Sequence, residues 1–300
     1  MKTSIQIPSV SHDERIGSVF NQLFSIINAT ELSESDIVEW DFSETDFLHP
    51  FFIGPLSIYK QSCYKQIQCL NKNSIVSSYH RAISFDHTYH ITAAHLQDDK
   101  ILSYYRGKTY TPIFSFPAND VVISDHLEQT VQSIIRCQTQ YGPALQAPLS
   151  YILSELVCNI HQHSRAHQGY IYCQYLKAER TINLCIADDG YGILGSYIRT
   201  RTHLHEVIND AIALQYANNG YSTKGLPERG FGLRTSRSVL VDGLGGAYFM
   251  LSGSAFYRHQ RDGEGAVLLP PGILWNGTIV LLRIPIDIPK DFSLYPYLEN

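Results

Sequence analysis

The chain of 300 residues lacks any run of about eighteen apolar residues, which is the length that a membrane-spanning helix requires. Its first residues, MKTSIQIPSVSHDERIG, have no apolar region of the kind found in signal peptides. The net charge of −5 provides no strongly basic face for nucleic acid. These absences argue against a membrane protein and a general nucleic-acid binder, and they predict a cytoplasmic location.

The chain also lacks a disulfide framework, because its six cysteines are scattered without a regular spacing. Cys158, Cys173 and Cys185 fall within predicted helix or strand, which is typical of buried thiols in a reducing compartment. Cys158, His161 and His163 are also metal-binding residue types. Helical spacing spreads them around the helix axis and no second cysteine pair follows, so we expect no zinc site.

The hydrophobic fraction of 44% and the chain length are sufficient for two domains. We place the boundary near residue 120, so that residues 1–120 form a small α/β domain and residues 121–300 a larger one. Strands are predicted at 4–7, 37–42 and 67–70, and helices at 13–27 and 51–66. This alternation implies crossover connections. We interpret the Tyr- and His-rich segment 79–105 as core and rim of the small domain.

The second domain is predicted to combine helices with a sheet. Helices are predicted at 125–141, from about 148 to 163, and at 204–217 and 233–241, and strands at 169–176, 181–187, 247–251, 255–259 and 278–284. Strand 181–187 is apolar or small on both faces apart from Asn183, so we expect both faces to be covered. The long segment 193–228 is typical of a mobile lid.

A row of polar side chains follows the apolar stripe of the helix that contains residues 149–163. Glu155, Asn159 and His163 are four residues apart and therefore stack along one side of the helix. Such a row beside a buried face is costly unless a polar ligand docks on it.

Two glycine-containing clusters follow this helix. The first, Asp188-Asp189-Gly190-Tyr191-Gly192, ends a predicted strand, and the second, Arg229-Gly230-Phe231-Gly232-Leu233, precedes a predicted helix. Glycines allow close approach of backbone, and a helix N-terminus favours anions. Together with the polar row, the clusters suggest one nucleotide pocket.

These residues resemble the motifs of the GHKL ATP-binding superfamily, which includes type II topoisomerases, histidine kinases and the anti-sigma serine kinases. The resemblance covers residues 125–289. The four motifs occur in the family's order, a combination that is more specific than any one of them. Glu155-x-x-x-Asn159-x-x-x-His163 is similar to the N box of anti-sigma kinases, Asp188-x-Gly190-x-Gly192 to the first glycine box, Gly230-x-Gly232-Leu233 to the second, and Gly277-Thr278 to the terminal Gly-Thr pair.

The resemblance implies ATP and Mg²⁺ as ligands and a Bergerat-type fold, with a mixed or antiparallel sheet under helices. The oxygen of Asn159 suits a Mg²⁺ position, because this ion takes few oxygen ligands from protein. Glu155 is the expected catalytic base that aligns a water or a hydroxyl. His163 is expected to contact phosphate or orient the lid.

The remaining motif residues have expected roles at the two ends of the nucleotide. Asp188 is expected to accept a hydrogen bond from the adenine amino group, with Thr278 holding a water beside it. Gly190 and Gly192 are expected to let backbone approach the adenine ring. At the phosphates, the expected contacts are the amides around Gly230, Gly232 and Leu233 and the cations Lys224 and Arg229.

The segment 37–56, IVEWDFSETDFLHPFFIGPL, resembles the strand-turn-helix of STAS domains, which are the partners of anti-sigma kinases. STAS domains that are switched by phosphorylation have a serine or threonine at the start of this helix. Here the position reads Leu48-His49-Pro50-Phe51, without a hydroxyl, so the resemblance predicts a STAS-like regulatory domain but no such switch.

Each motif also has a structural alternative. Glu155 and Asn159 also fit a solvated helix edge, Asp188-Asp189-Gly190 a hairpin turn, and Gly230-x-Gly232 a loop that enters a helix. Lys224 and Arg229 also fit surface charges. His205-Glu206 resembles a phosphoacceptor box, but it follows the first glycine box, so a solvated helix face is the better interpretation.

The leading functional hypothesis is a slow ATPase or a Ser/Thr protein kinase that acts on a partner protein in a regulatory pathway. No histidine-kinase acceptor helix is found before the ATP-binding motifs. The alternatives are a non-catalytic, ATP-gated switch, which signals to a partner or a second copy of the chain, and an interaction module with a vestigial pocket. The sequence leaves the phosphate acceptor open.

Overall fold

A computed structural model of the protein describes residues 3–11, 15–97, 100–223 and 232–298. The chain divides into two compact units. The first contains Met1–Tyr89, Pro112–Phe114 and Pro270–Ile273, and the second contains His90–Thr111, Ser115–Leu269 and Leu274–Asn300. None of the helices in the described ranges has both the length and the apolar content that crossing a membrane requires.

The first unit contains a parallel sheet with strand order β1-β2-β3. Its strands are β1 (Thr3–Gln6), β2 (Ile37–Asp41) and β3 (Gln66–Leu70), and its helices are α1 (Ile16–Glu31), α2 (Pro50–Ser62) and α3 (Ser74–Ala82). The predicted alternation of strands and helices is confirmed, with α3 in addition. Parallel neighbours require such crossovers, since a tight turn cannot join them.

Local sequence explains where α1 and α2 form. In α1, the buried residues Val19, Phe20, Leu23 and Ile27 recur at helical spacing. Helix α2 begins at Pro50, and the Nδ1 atom of His49 accepts a hydrogen bond from the amide of Phe51 at 3.0 Å. A proline suits this position because the first amides of a helix have no intrahelical acceptor.

The larger sheet has eight strands among the described residues, in the order β10-β9-β8-β11-β7-β6-β5-β4. From β10 to β6 all neighbours are antiparallel. The strands are β4 (Tyr89–His90), β5 (Phe114–Pro117), β6 (Gln168–Leu176), β7 (Thr181–Asp188), β8 (Ala247–Gly253), β9 (Ala255–Gln260), β10 (Gly263–Leu268) and β11 (Trp275–Pro285). Strand β7 is buried from Ile182 to Asp188, so the prediction that both of its faces are covered is confirmed.

The helices of the second unit belong to the same mixed α/β architecture. They are α4 (Lys100–Tyr105), α5 (Val121–Thr139), α6 (Pro143–Asn159), α7 (Gly192–Thr200), α8 (Asp210–Asn218), α9 (Gly232–Ser238) and α10 (Tyr295–Leu298). A 3₁₀ turn spans Ala93–Gln97, and π-helical turns span Ile160–Ser164 and Val239–Gly243. The α/β fold class is therefore confirmed at this level.

The predicted domain boundary near residue 120 differs from the division of the structure. Residues 90–111 and 115–120 group with the second unit. The amide of Thr111 donates to the carbonyl of Cys173 at 2.8 Å, and the amide of Tyr175 donates to the carbonyl of Thr109 at 2.6 Å. These backbone bonds tie the segment to β6, which sequence patterns could not reveal.

Several elements of the second unit also differ from the prediction. Helix α6 begins at Pro143 and continues through Pro148, whose missing amide removes one bond of the helix. The predicted helix 204–217 is shorter, because Asn209 caps α8 by accepting from the amide of Ile212 at 2.9 Å. Helix α7 and strand β10 were not predicted.

Candidate functional site

A cavity of about 490 Å³ lies within the second unit, between the helices and the sheet. Side chains or backbone of α6, its π turn, α7, α9 and strands β7, β8 and β11 border it. The sequence-predicted site residues that line it are Glu155, Asn159, His163, Asp188, Gly192, Gly232, Leu233 and Thr278. The structure therefore brings residues from all four motifs to one cavity.

Four predicted site residues are not among the lining residues. The amide of Gly190 donates to Oδ1 of Asp188, which does line the cavity, at 2.8 Å. Lys224, Arg229 and Gly230 lie outside the described residues, as does the whole of the predicted lid segment after Thr223.

The polar row starts on α6 and ends on the π turn. Glu155 and Asn159 are one turn apart on α6, and His163 lies on the π turn Ile160–Ser164. A π turn is wider than an α turn, so the straight stacking expected for all three residues applies only to the first two. His163 nevertheless lines the same cavity.

The side-chain nitrogen of Asn159 is buried and has no hydrogen-bond partner among the described residues. Buried amide groups are normally paired, and an unpaired one requires an explanation. Because the assignment of nitrogen and oxygen in an amide rests on its partners, either end can face the cavity. The amide is therefore suited to a polar ligand.

Glu155 connects the polar row to the second glycine cluster. A Cβ atom added at Gly232 would lie 2.2 Å from Oε2 of Glu155, so a larger residue here would require the flexible Glu155 side chain to move. Gly232 is also the first residue of α9. The carboxylate of Glu155 thus lies against the start of a helix.

Asp188 is buried at the end of β7, directly opposite Thr278 of β11. Burial raises the pKa of its carboxyl to about 7. The hydrogen bonds from the amides of Gly190 and Thr278 oppose this rise, while the nearby charge of Asp189 adds to it. Near this pH, a carboxyl beside a cavity can donate a hydrogen bond to a ligand when it is protonated and accept one when it is ionised.

The first glycine cluster needs its glycines for contacts within the protein. An added Cβ at Gly190 would lie 2.1 Å from the carbonyl oxygen of Ser164, and Gly192 has φ of +70° and faces Oγ of Ser252. These glycines let the backbone approach the π turn and β8, and the expectation that they also admit a purine ring stays a prediction.

Ser252 connects two of the motifs, although sequence analysis did not single it out. Its buried hydroxyl accepts from the amide of Ile193 and donates to the carbonyl of Gly277, both at 2.9 Å. It joins the first glycine cluster to the Gly-Thr pair. The local sequence around this serine does not indicate that its hydroxyl bonds to two distant segments.

The π turn was also missed, although it joins two motifs. The amide of Tyr191 donates to the carbonyl of Ser164 at 2.9 Å, and the hydroxyl of Ser196 donates to the carbonyl of His163 at 3.2 Å. Through these bonds the polar row and the first glycine cluster hold each other in place.

The sheet side of the cavity is apolar. Ile186 of β7, Met250 of β8 and Val280 of β11 line it next to Asp188 and Thr278. An apolar floor with a few convergent polar groups is typical of small-molecule sites.

Residues 221–223 also border the cavity. Oγ1 of Thr223 lies 3.0 Å from Nδ1 of His163, and the hydroxyl of Tyr197 donates to the carbonyl of Tyr221. Tyr197 and Tyr221 also line the cavity.

In the part of the chain that the structure describes, no three His, Cys, Asp or Glu residues are arranged to hold a metal ion. A Mg²⁺ ion that arrives with a phosphate ligand needs only one or two protein oxygens, so this finding does not bear on it.

Comparisons of the chain with models of protein families, with curated proteins and with solved structures found no match. The interpretation of the cavity depends on its residues and their geometry.

Proposed function

We propose that the second unit binds Mg-ATP in this cavity and is a GHKL-type ATPase or Ser/Thr protein kinase that acts on a partner protein. The observation that carries the proposal is the convergence of the four sequence motifs around one cavity. The motifs are up to about 120 residues apart in the chain, and their shared position is what a common nucleotide ligand requires. The volume of about 490 Å³ is within the usual range for such ligands.

The purine end of the ligand is assigned to the sheet side of the cavity. Asp188 accepts a hydrogen bond from the exocyclic amino group, and Ile186, Met250 and Val280 provide apolar surface for the ring. Because the carboxyl must be ionised to accept with both oxygens, affinity for ATP should increase as the pH rises through about 7.

The phosphate end is assigned to α6 and the start of α9. Asn159, with its buried unpaired amide, fits a Mg²⁺ ligand, and the ion would neutralise phosphate charge there. Glu155 is the catalytic base that orients a water or an acceptor hydroxyl. Gly232 leaves room for that carboxylate, and the helix start favours an anion.

The topology of the two units supports the more specific fold assignment. The antiparallel strands β10 to β6, with helices around a cavity, agree with a Bergerat-type fold. The parallel order β1-β2-β3 with crossover helices agrees with a STAS-like domain. In that domain the imidazole of His49 caps α2, so the position of a switching hydroxyl is filled by a histidine.

A second candidate is an ATP-gated switch without turnover. It is favoured by the hydrogen bonds that hold residues 221–223 at the cavity, because a bound nucleotide would contact them directly. In this case Mg-ATP would change the protease sensitivity of the chain around Thr223, and no phosphate would be released.

Equilibrium dialysis with Mg-ATP, followed by a phosphate-release assay on the same sample, tests the proposal. The expected result is binding with slow release, and binding weakened about 10–100-fold in Asp188→Asn, since one charged hydrogen bond contributes about 1.5–3 kcal/mol. Absence of binding at millimolar ATP would contradict it. Binding without release would favour the switch.

A further inference from the structure

Thr223 and His163 form a hydroxyl–imidazole pair at the wall of the cavity. Oγ1 of Thr223 is 3.0 Å from Nδ1 of His163, and both residues line the cavity. Both side chains are partly exposed. A hydroxyl in hydrogen-bond contact with an imidazole is the arrangement by which proteins activate an oxygen nucleophile.

We propose that Thr223 is a phosphorylation site of the protein itself, with ATP as the phosphoryl donor and His163 as the general base for this hydroxyl, whereas Glu155 acts on water or on a hydroxyl of the partner protein. The proposal rests on the proposed function, because it requires ATP in the cavity. It also names an acceptor for the phosphoryl group, a serine/threonine-type hydroxyl within the chain.

The position of the pair relative to the polar row supports this role. His163 is four residues after Asn159, the proposed Mg²⁺ ligand, and both border the same cavity. A hydroxyl bonded to His163 therefore borders the same cavity as the proposed Mg²⁺ ligand.

The reaction transfers the γ-phosphoryl group of ATP to Oγ1 of Thr223 and the hydroxyl proton to His163. In the tautomer with Nδ1 unprotonated, the hydroxyl donates to this atom, and the imidazole takes the proton as Oγ1 attacks the γ-phosphorus. The bond from Oγ1 to phosphorus forms, and the bond from phosphorus to the β–γ bridging oxygen breaks. ADP leaves with that oxygen and its negative charge.

Other hydroxyls at the cavity are less suited to the reaction. The side chain of Tyr197 is 1% exposed, and its hydroxyl already donates to the carbonyl of Tyr221. Thr235 and Thr278 are buried within α9 and β11. Ser222 is adjacent to Thr223 and also borders the cavity, so the experiment must separate these two positions.

The test is incubation of the full chain with Mg²⁺ and γ-labelled ATP, followed by localisation of the phosphate by peptide mass spectrometry. We expect one phosphoryl group on Thr223, no label in Thr223→Val, and retained label in Thr223→Ser. His163→Gln should label about 100-fold more slowly, as expected for loss of a general base. The rate per molecule should be independent of protein concentration, because donor and acceptor share one cavity.

The matched control is Thr202→Val, since the hydroxyl of Thr202 bonds Thr200 at 2.8 Å and does not line the cavity. This variant should be labelled at the parent rate. Label on Ser222 or elsewhere, or an unchanged rate in His163→Gln, would overturn the proposal.

ATP affinity, measured on the same samples, distinguishes failure of the proposed phosphorylation site from failure of the proposed nucleotide site. If the parent binds Mg-ATP without labelling Thr223, the modification site is wrong while the nucleotide site stands. If it does not bind ATP, both are wrong. Thr223→Ser and circular dichroism of each variant exclude loss of label through misfolding.

Discussion

Each unit contains a buried titratable side chain, and burial shifts the pKa values of the two side chains in opposite directions. In the first unit, His80 is 1% exposed and packs between aromatic rings, with ring centroids 4.8 Å from Phe42 and 4.1 Å from Phe85. Neither ring nitrogen has a hydrogen-bond partner among the described residues. Burial, with a contribution from the charge of Lys72, lowers the pKa of His80 to about 3.

In the second unit, Asp188 is also buried, but it has hydrogen bonds and borders the cavity. Burial raises its pKa to about 7. A perturbed pKa alone therefore does not identify a functional site, because His80 has one as well. What distinguishes Asp188 is the cavity and the motif residues that share it, and His80 is interpreted as a core residue.

The largest effect should come from removing the proposed catalytic base. Glu155→Gln should lower ATP turnover by about 10²–10⁴-fold with a small change in ATP affinity, because the base acts on the reacting oxygen and not on the bound nucleotide. Steady-state kinetics and binding titrations measure the two quantities.

The control for that variant is Glu128→Gln. Glu128 lies on α5, away from the cavity-lining residues, and burial raises its pKa to about 7 too. Its replacement should leave turnover unchanged. If both variants lost turnover equally, the special position of Glu155 would be refuted.

The next effect concerns acid stability of the first unit. The pKa of His80 is lower in the folded state than its ordinary value of 6.5, so protons favour the unfolded state. The contribution of neutral His80 to the free energy of unfolding should be fully present above pH 6.5. It should decrease by roughly 5 kcal/mol as the pH falls to about 3. Denaturant titrations against pH should show this loss in the parent and not in His80→Leu. An equal loss in the variant would assign acid sensitivity to other groups.

Asp188 should produce the opposite dependence in the second unit. Its pKa is higher in the folded state than the ordinary value of 3.8, so its contribution to stability is fully present below about pH 4. This contribution, roughly 4 kcal/mol, should be lost as the pH rises through 7. Relative to the parent, Asp188→Asn should therefore become more stable with increasing pH. A constant difference between the two proteins would show that burial does not perturb this carboxyl.

The smallest effect should come from Ser252→Ala. This change removes two hydrogen bonds that join the first glycine cluster to Gly277. It should cost about 1–3 kcal/mol of stability and weaken ATP binding severalfold, since the cavity wall is displaced but no assigned nucleotide contact is removed. Ser254→Ala on the neighbouring turn is the control, because it loses one hydrogen bond, to Asp210, at no motif residue. ATP binding equally weakened in both variants would contradict the role of Ser252.

The sequence predicted the parts of the site that rest on local spacing. Glu155 and Asn159 are one helical turn apart as predicted, and the hairpin of β6 and β7 ends at Asp188 within one residue of the prediction. Their convergence with Gly232 and Thr278 was expected from the motifs together, and the cavity agrees with it.

The features that were not predicted depend on contacts between distant segments. Helix α7, with sequence GILGSYIRT, contains two glycines and has a weak helical pattern, yet it forms where Tyr197 is buried. The π turn depends on bonds from Tyr191 and Ser196, and the role of Ser252 depends on a neighbouring strand. No window of local sequence contains these partners.

Hydrogen exchange of the parent with and without Mg-ATP tests the central claim most directly, since amides that contact or pack beside a bound ligand exchange more slowly. We expect ATP to protect residues 155–164, 188–193, 232–235 and 277–279 together, and to leave the segment around His80 unchanged. Protection of only one of these segments, or protection around His80 instead, would contradict the account.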